Sequence, residues 1–386
     1  MAYFEPNTLV SDRRIPFLSL VAVFFMVLGG IFIGDWLATQ LLPLIFGAEL
    51  INLDDMDTMA NIHEYPEARS PLLLKQGISA LFGFIILPLI YLFFIEKKRL
   101  STLSPNRQLI SLGLFLTLAA TFLFMVINAR IAEWNMEWDL SGWLGPVGEM
   151  MEDIEVLLKG VTEFLTTFES TGQFILGMLV IAVVPAVGEE LVFRGCIQNQ
   201  LLALTKNGHV AIWLAGFLFS AIHFQFFGFI PRLLLGVLFG YLYYWSGHLI
   251  VPILAHFFNN GLQIFLLYAY QREDITYNID QMEDSVPWWL VAVCSLFLVG
   301  VMYLFKTKVD QSSQLPNSGK WQSVFHSDQN DRIEKVRLIL ADKGLHPVII
   351  DSKHGNVDGP IRKEVHVAPI HMAKARKIIE QDITFE

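Results

Sequence analysis

Residues 174–195 read FILGMLVIAVVPAVGEELVFRG. The first half is apolar sequence of bilayer type, and Glu189, Glu190 and Arg194 follow in the same run. A charge at bilayer depth costs about 2.5–3.5 kcal/mol even on lenient scales, so three in one segment need a reason. Successive helix residues diverge by about 100°, so the two carboxylates cannot share a direction. Glu190 and Arg194 are i,i+4 on one face, in the favourable order of acid before base. Their pairing neutralises two of the three charges and leaves Glu189 without a sequence-local partner. Taken alone, the pattern also fits an intramembrane ion pair that fixes helix packing, with Glu189 protonated.

The rest of the chain has the same character. Of 386 residues, 54% are hydrophobic and 17% charged, and the mean hydropathy is +0.48. A soluble domain carries about 25% charged residues, so the composition is that of a membrane protein. The net charge of −10 is segregated into loops and the C-terminal region. No run of Lys and Arg points to nucleic acid as a partner. Cys196 and Cys294 lie in apolar stretches and read as buried thiols, neither a disulfide framework nor a metal cluster.

A bilayer span takes roughly 20 mostly apolar residues. Segments 16–36, 72–95, 108–129, 171–203, 209–228, 230–246, 248–270 and 286–305 qualify, which predicts about eight transmembrane helices. The first is no signal peptide, because its apolar run is too long and no small-x-small site follows. Arg13 and Arg14 before it, and Lys97, Lys98, Arg99 and Arg107 in the loop 96–107, read as cytoplasmic. Acid-rich segments 49–67, 131–170 and 271–285 read as external, with Arg232 the one dissenting charge. Lys306 and Lys308 then hold the C-terminus inside, so both termini are expected in the cytoplasm. Within 131–170, Trp134, Trp138 and Trp143 precede MEDIEVLLKGVTEFL, an amphipathic pattern that fits an interfacial or an ordinary loop helix.

After residue 306 the composition changes. A polar linker is expected over 307–320 and a small domain over 321–386. WQSVFH reads as a strand, DQNDRIEKVRLILADKG as a helix, HPVIID and KEVHVAP as strands and HMAKARKIIEQ as a helix. Two helices on one face of such a sheet predict a ferredoxin-like βαββα, α+β domain. Its His326, His346, His354, His366 and His371 have no metal-ligand spacing and read as surface residues.

Two further segments bear on Glu189. FLFSAIHFQFF places His223 in the fifth expected span, and VPILAHFFNNG places His256 and Asn260 on one face of the seventh. Polar groups on three spans, each needing a partner away from water, are expected to meet. A carboxylate with an imidazole can hold and deprotonate a water for attack on a carbonyl. An imidazole N–H and a carboxamide can stabilise the oxyanion that results. Glu189, His223 and His256 are also the residue types of a zinc site with an open position, although no H-E-x-x-H helix is present. Ser220 lacks an acyl-enzyme signature and reads as a packing residue. Asn259 falls on another face from Asn260, and His209 and His248 read as interfacial.

EELVFR, FLFSAIH and HFFNN resemble, in order and on separate helices, the EExxxR, FxxxH and HxxxN motifs of the CPBP family of intramembrane proteases. That family comprises the type II CAAX prenyl endopeptidases and the Abi-like bacteriocin-processing proteases. The likeness covers about 170–270, the flanking spans loosely and the C-terminal region not at all. It implies that Glu189 and His223 activate water, that His256 and Asn260 form the oxyanion hole, and that Glu190 and Arg194 support the site. Such proteases have been described as metal-dependent and as glutamate-dependent. The metal-free version is preferred here because a carboxamide suits an oxyanion better than a metal, and no cofactor is expected. The C-terminal region resembles a small bacterial domain described as a signal transducing protein.

These readings make 1–306 an intramembrane endopeptidase domain of a bacterial inner membrane. Its expected partners are the lipid bilayer, a membrane-associated or lipid-anchored protein or peptide as substrate, and a cytoplasmic regulator of the C-terminal domain. A non-catalytic scaffold or sensor that signals through the C-terminal domain is the alternative. A transporter fits less well, since no repeat or broken-helix pair is apparent.

Overall fold

The structure is a computed structural model. It describes residues 15–47, 58–59, 61–97, 103–104, 111–274, 286–314, 322–345, 347–353, 361–367 and 372–383. The expectations placed on Arg13, Arg14, Lys98, Arg99, Arg107, His346, His354, His371 and the segments 49–57 and 275–285 fall outside these residues. The chain divides into two compact units, Met1–Ser312 and Ser313–Glu386.

The first unit is helical. Its main elements are α1 (Pro16–Phe46), α2 (Pro66–Ile95), α3 (Ser111–Met136), α4 (Pro146–Thr166), α5 (Thr171–Thr205), α6 (Gly208–Ala221), α7 (Phe229–Ser246), α8 (Ile250–Gln271) and α9 (Trp288–Gln314). Six helices are long and apolar enough to cross a bilayer: α1, α2, α3, α5, α8 and α9. The chain is an integral membrane protein. The expected count of about eight is therefore not confirmed among the described residues. The fifth expected span contains only the 14-residue α6, because the chain leaves the helix at Ile222 and does not re-enter one until Phe229. The sixth corresponds to α7, where Arg232, three tyrosines and a tryptophan dilute the hydropathy.

Close helix contacts rest on small residues, as is usual where lipid offers no hydrophobic drive to association. A Cβ added at Gly30 of α1 would lie 2.6 Å from the Phe82 carbonyl of α2, and one at Gly188 of α5 2.7 Å from Phe84 Cβ. Gly216 of α6 and Gly236 of α7 meet at a similar approach, 3.1 Å for an added Cβ. The long helix α5 contains two π-helical stretches, Met178–Val183 and Leu191–Ile197, with the α-helical Val184–Glu190 between them. Wide turns of this kind leave carbonyls short of partners and often mark functional positions. Asn199 Nδ2 lies 3.0 Å from both the Arg194 and Gly195 carbonyls and 3.2 Å from Tyr243 Oη, so its donors answer the second wide turn.

Outside the spans, α4 is the helix expected from MEDIEVLLKGVTEFL. Arg69 at the start of α2 donates Nε–H to the Phe164 carbonyl at its end, at 2.8 Å, and pairs with Glu169 at 2.9 Å. Trp138 packs against Trp134 and Trp143 with ring centroids 5.2 and 5.6 Å apart.

The second unit runs β1 (Gln322–Ser327), α10 (Asn330–Asp342), β2 (Val348–Lys353), β3 (Ile361–Val367) and α11 (Met372–Asp382). The expected βαββα succession is present among the described residues. The strands form one sheet in the order β1-β3-β2, with β3 antiparallel to both neighbours. Val365 and Val367 of β3 meet Ile333, Val336 and Leu340 of α10 and Ala375 of α11 in the core. Glu364 and His366 alternate with those valines and bond each other at 2.9 Å. Arg337 donates to Glu334 at 3.0 Å and holds that carboxyl below its ordinary range. One boundary differs from expectation. The helix α9 runs on to Gln314, so residues 307–314 are helical where an irregular linker was expected. KTKVDQSSQ contains neither Gly nor Pro, and Pro316 is the first helix breaker.

Candidate active site

Two helices and one connection supply the polar residues. The α-helical Val184–Glu190 of α5 carries Glu189 and Glu190, and the wide turn after it carries Arg194. His223 stands just beyond α6, while His256 and Asn260 lie one turn apart in α8.

Glu190 and Arg194 are both 0% exposed and neutralise each other, while Glu190 Oε2 and Arg194 Nε have no hydrogen-bond partner among the described residues. Arg194 Nη1 donates to Glu190 Oε1 at 2.8 Å and Nη2 to the Gly236 carbonyl of α7 at 2.8 Å. Its guanidinium also stacks on Phe219 at 4.9 Å and on Phe239 at 5.6 Å. Glu190 Oε1 has a second partner that sequence spacing did not reveal, His256 Nδ1 at 2.8 Å. The first and third motifs are thus joined by one oxygen atom. The second motif contributes Phe219, whose ring lies 5.4 Å from that of His223 and 5.9 Å from that of His256. Phe239 stacks on the other side of His256 at 5.2 Å.

The acceptors fix the imidazole tautomers. His223 Nδ1 faces the Phe219 carbonyl at 2.8 Å, and a carbonyl only accepts, so Nδ1 carries the proton. The same logic places a proton on His256 Nδ1 against the Glu190 carboxylate. Nε2 of each ring is left for other partners.

Asn260 is held from two sides. Its Nδ2 donates to the Ile181 carbonyl at 3.1 Å, and its Oδ1 accepts from Asn259 Nδ2 at 3.0 Å. The Ile181 carbonyl is free to accept because its i→i+4 partner is Pro185, which has no N–H. Asn259, expected to point elsewhere, therefore orients the Asn260 amide.

Glu189 is half-buried and makes no hydrogen bond to the described residues. The charged or titratable groups close enough to act on it are His256, Glu190, Arg194 and Arg232. Glu189 and His223 do not touch directly. Among the described residues no group of three or more His, Cys, Asp or Glu is arranged to hold a metal ion. Ser220 Oγ donates to the Phe229 carbonyl at 2.7 Å and ties α6 to α7, a packing role. His209 bonds Tyr241 at the exposed start of α6, at 2.7 Å. Cys196 and Cys294 are buried thiols and form no disulfide among the described residues.

Residues 171–262 match the family model described as type II CAAX prenyl endopeptidase Rce1-like. The CAAX-type resemblance is shown for this segment. The Rce1-like segment covers about a quarter of the chain, from the start of α5 to the middle of α8, and holds Glu189, Glu190, Arg194, His223, His256 and Asn260. The chain is also similar to the uncharacterized protein YpbD of Bacillus subtilis (strain 168), with 36% identity over 76 residues. That match takes in 19% of this chain and 35% of the relative, so the chain spans about a third of the relative's length. No solved structure matches the chain.

Proposed function

We propose that the chain is an intramembrane endopeptidase of the CAAX type, which hydrolyses a peptide bond in a membrane-associated or lipid-anchored protein or peptide. The observation that carries this reading is the Glu190 carboxylate, which ties the first motif to the third at 2.8 Å within the Rce1-like segment. A buried Arg–Glu–His assembly is a costly way to pack helices. It is a direct way to fix the ring of a working histidine.

In this mechanism a water molecule sits between the Glu189 carboxylate and His223 Nε2. Its proton passes to that pair as the oxygen attacks the scissile carbonyl carbon. The carbonyl π electrons move onto oxygen, and the resulting oxyanion faces the free N–H of Asn260 and the His256 ring, which donates from Nε2 only as imidazolium. Collapse restores the carbonyl and breaks the C–N bond, and the held proton goes to the departing amine. No metal takes part in these steps. Glu190 and Arg194 position His256.

The protein is proposed to lie in a bacterial inner membrane with both termini in the cytoplasm. There the C-terminal unit, read as a ferredoxin-like domain short of its last strand, would meet a regulator. Whether the substrate is prenylated follows from the host and not from this chain.

Glu189→Gln tests the reading. It should leave expression and thermal stability near wild type and lower turnover about 10²–10⁴-fold, the contribution of a positioned general base. Quantitative proteomics of membranes from cells carrying this variant should show a protein accumulating uncut. Wild-type turnover by purified Glu189→Gln protein, or failure of any membrane protein to accumulate, would remove the protease reading as built on these residues. Chelators should leave the wild-type rate unchanged.

A further inference from the structure

Hydrogen-bond donors are scarce at this site, and the scarcity points to a residue outside the three motifs. The Nδ1 proton of His223 is directed at Phe219, that of His256 at Glu190, and one amide proton of Asn260 at Ile181. A neutral imidazole bonded in this way offers a lone pair from Nε2, and a second donor only as imidazolium. A tetrahedral oxyanion needs donors aimed at the oxygen on which charge develops. Asn260 alone supplies one.

Arg232 stands near the start of α7, beyond the connection that carries His223. Gln225 Oε1, in that same connection, holds Nη2 at 2.7 Å. Gly228 makes room for the guanidinium, since a Cβ there would come within 3.0 Å of Nη2. Nη1 is buried and has no hydrogen-bond partner among the described residues. Glu189 and Glu155 of α4 are the acids close enough to act on this cation, and its charge reaches His223. Neither acid comes within ion-pair distance of it. A permanent cation, anchored by one edge of its planar fork, thus keeps a buried N–H in reserve within electrostatic reach of the carboxylate proposed to activate water.

We propose that Arg232 donates from Nη1 to the substrate carbonyl oxygen as it becomes the oxyanion, which makes it a further catalytic residue of the reaction proposed above. The inference rests on that reading. The competing role is structural, a brace in which Arg232 attracts Glu155 and holds α4 in place.

The test uses the full chain in phospholipid nanodiscs and a library of internally quenched peptides, free and S-farnesylated. Wild type, Arg232→Gln, Arg232→Lys, Glu155→Gln and Glu189→Gln are compared for kcat, KM and melting temperature. Arg232→Gln should lower kcat about 10²–10³-fold, the loss expected for one oxyanion donor, with KM within about threefold and melting unchanged. Arg232→Lys should recover part of that loss, and Glu155→Gln should turn over like wild type. A kcat loss under about 30-fold in Arg232→Gln, or an equal loss in Glu155→Gln accompanied by lower melting, overturns the proposal. If Arg232→Gln does not fold, Arg232→Lys decides, and wild-type kcat there overturns it. A library left uncut by wild type, or cut as well by Glu189→Gln, instead removes the protease reading beneath it.

Discussion

At the scale of single residues the Glu190 oxygen carries the most. It accepts from Arg194 and His256 at 2.8 Å each, with all three side chains buried. Glu190→Gln leaves the guanidinium without its counter-charge and the imidazole with only a neutral acceptor, and breaking such a buried pair costs about 3–5 kcal/mol. Both folded yield and melting temperature in detergent should therefore fall, and Arg194→Gln should behave alike. A Glu190→Gln protein that melts with wild type would show the pair to be energetically idle. Half of this arrangement was legible in the sequence. The i,i+4 spacing of Glu190 and Arg194 is helix arithmetic, whereas the bond to His256 spans 66 positions and depends on how α8 packs on α5. Arg232 was visible only as a charge of the wrong sign for its expected loop, a signal that the positive-inside pattern registers without explaining.

Among the elements, α5 shows how a helix irregularity becomes a binding device. Pro185 removes the donor that would occupy the Ile181 carbonyl, and Asn260 of α8 takes it at 3.1 Å. Pro185→Ala restores a competing N–H. The helix should then be as stable as before or more so, since proline inside a helix costs about 3 kcal/mol. Turnover should nevertheless drop about tenfold or more as the Asn260 amide loses its tether, because misplacing a positioned group by about 1 Å can cost 10²-fold. Wild-type kcat in Pro185→Ala, measured alongside its melting temperature, would show the tether to be dispensable. The apolar run of α5 and its three charges were readable from composition, yet its π-helical stretches were not. In the second, Asn199 Nδ2 answers the Arg194 and Gly195 carbonyls and is itself held against Tyr243, 44 positions away, a contact that local sequence does not announce. The end of α6 at Ala221 was equally hidden, because the residues after it stay apolar while the backbone turns.

For the whole molecule, the composition changes after residue 306, and the two compact units meet at Ser312/Ser313. Only the helical extension of α9 through Gln314 was missed, since a polar run without breakers looks the same in a linker and in a helix. A chain ending at residue 312 should give a monodisperse membrane unit with the melting temperature of the parent. Aggregation of that truncated chain on size exclusion would show that the second unit is needed for folding. The length of α6 has a further consequence for the membrane unit. At 14 residues it spans about 21 Å, while the hydrocarbon core is about 30 Å thick. Beyond it the chain is irregular from Ile222 to Gly228, with Phe224 at a positive φ of 53°. Irregular backbone at membrane depth persists only against protein or water. On the proposed function, the missing third of that span is the place for solvent to descend to His223, and the truncated helix would supply a hydrolase immersed in oil with the co-substrate it consumes.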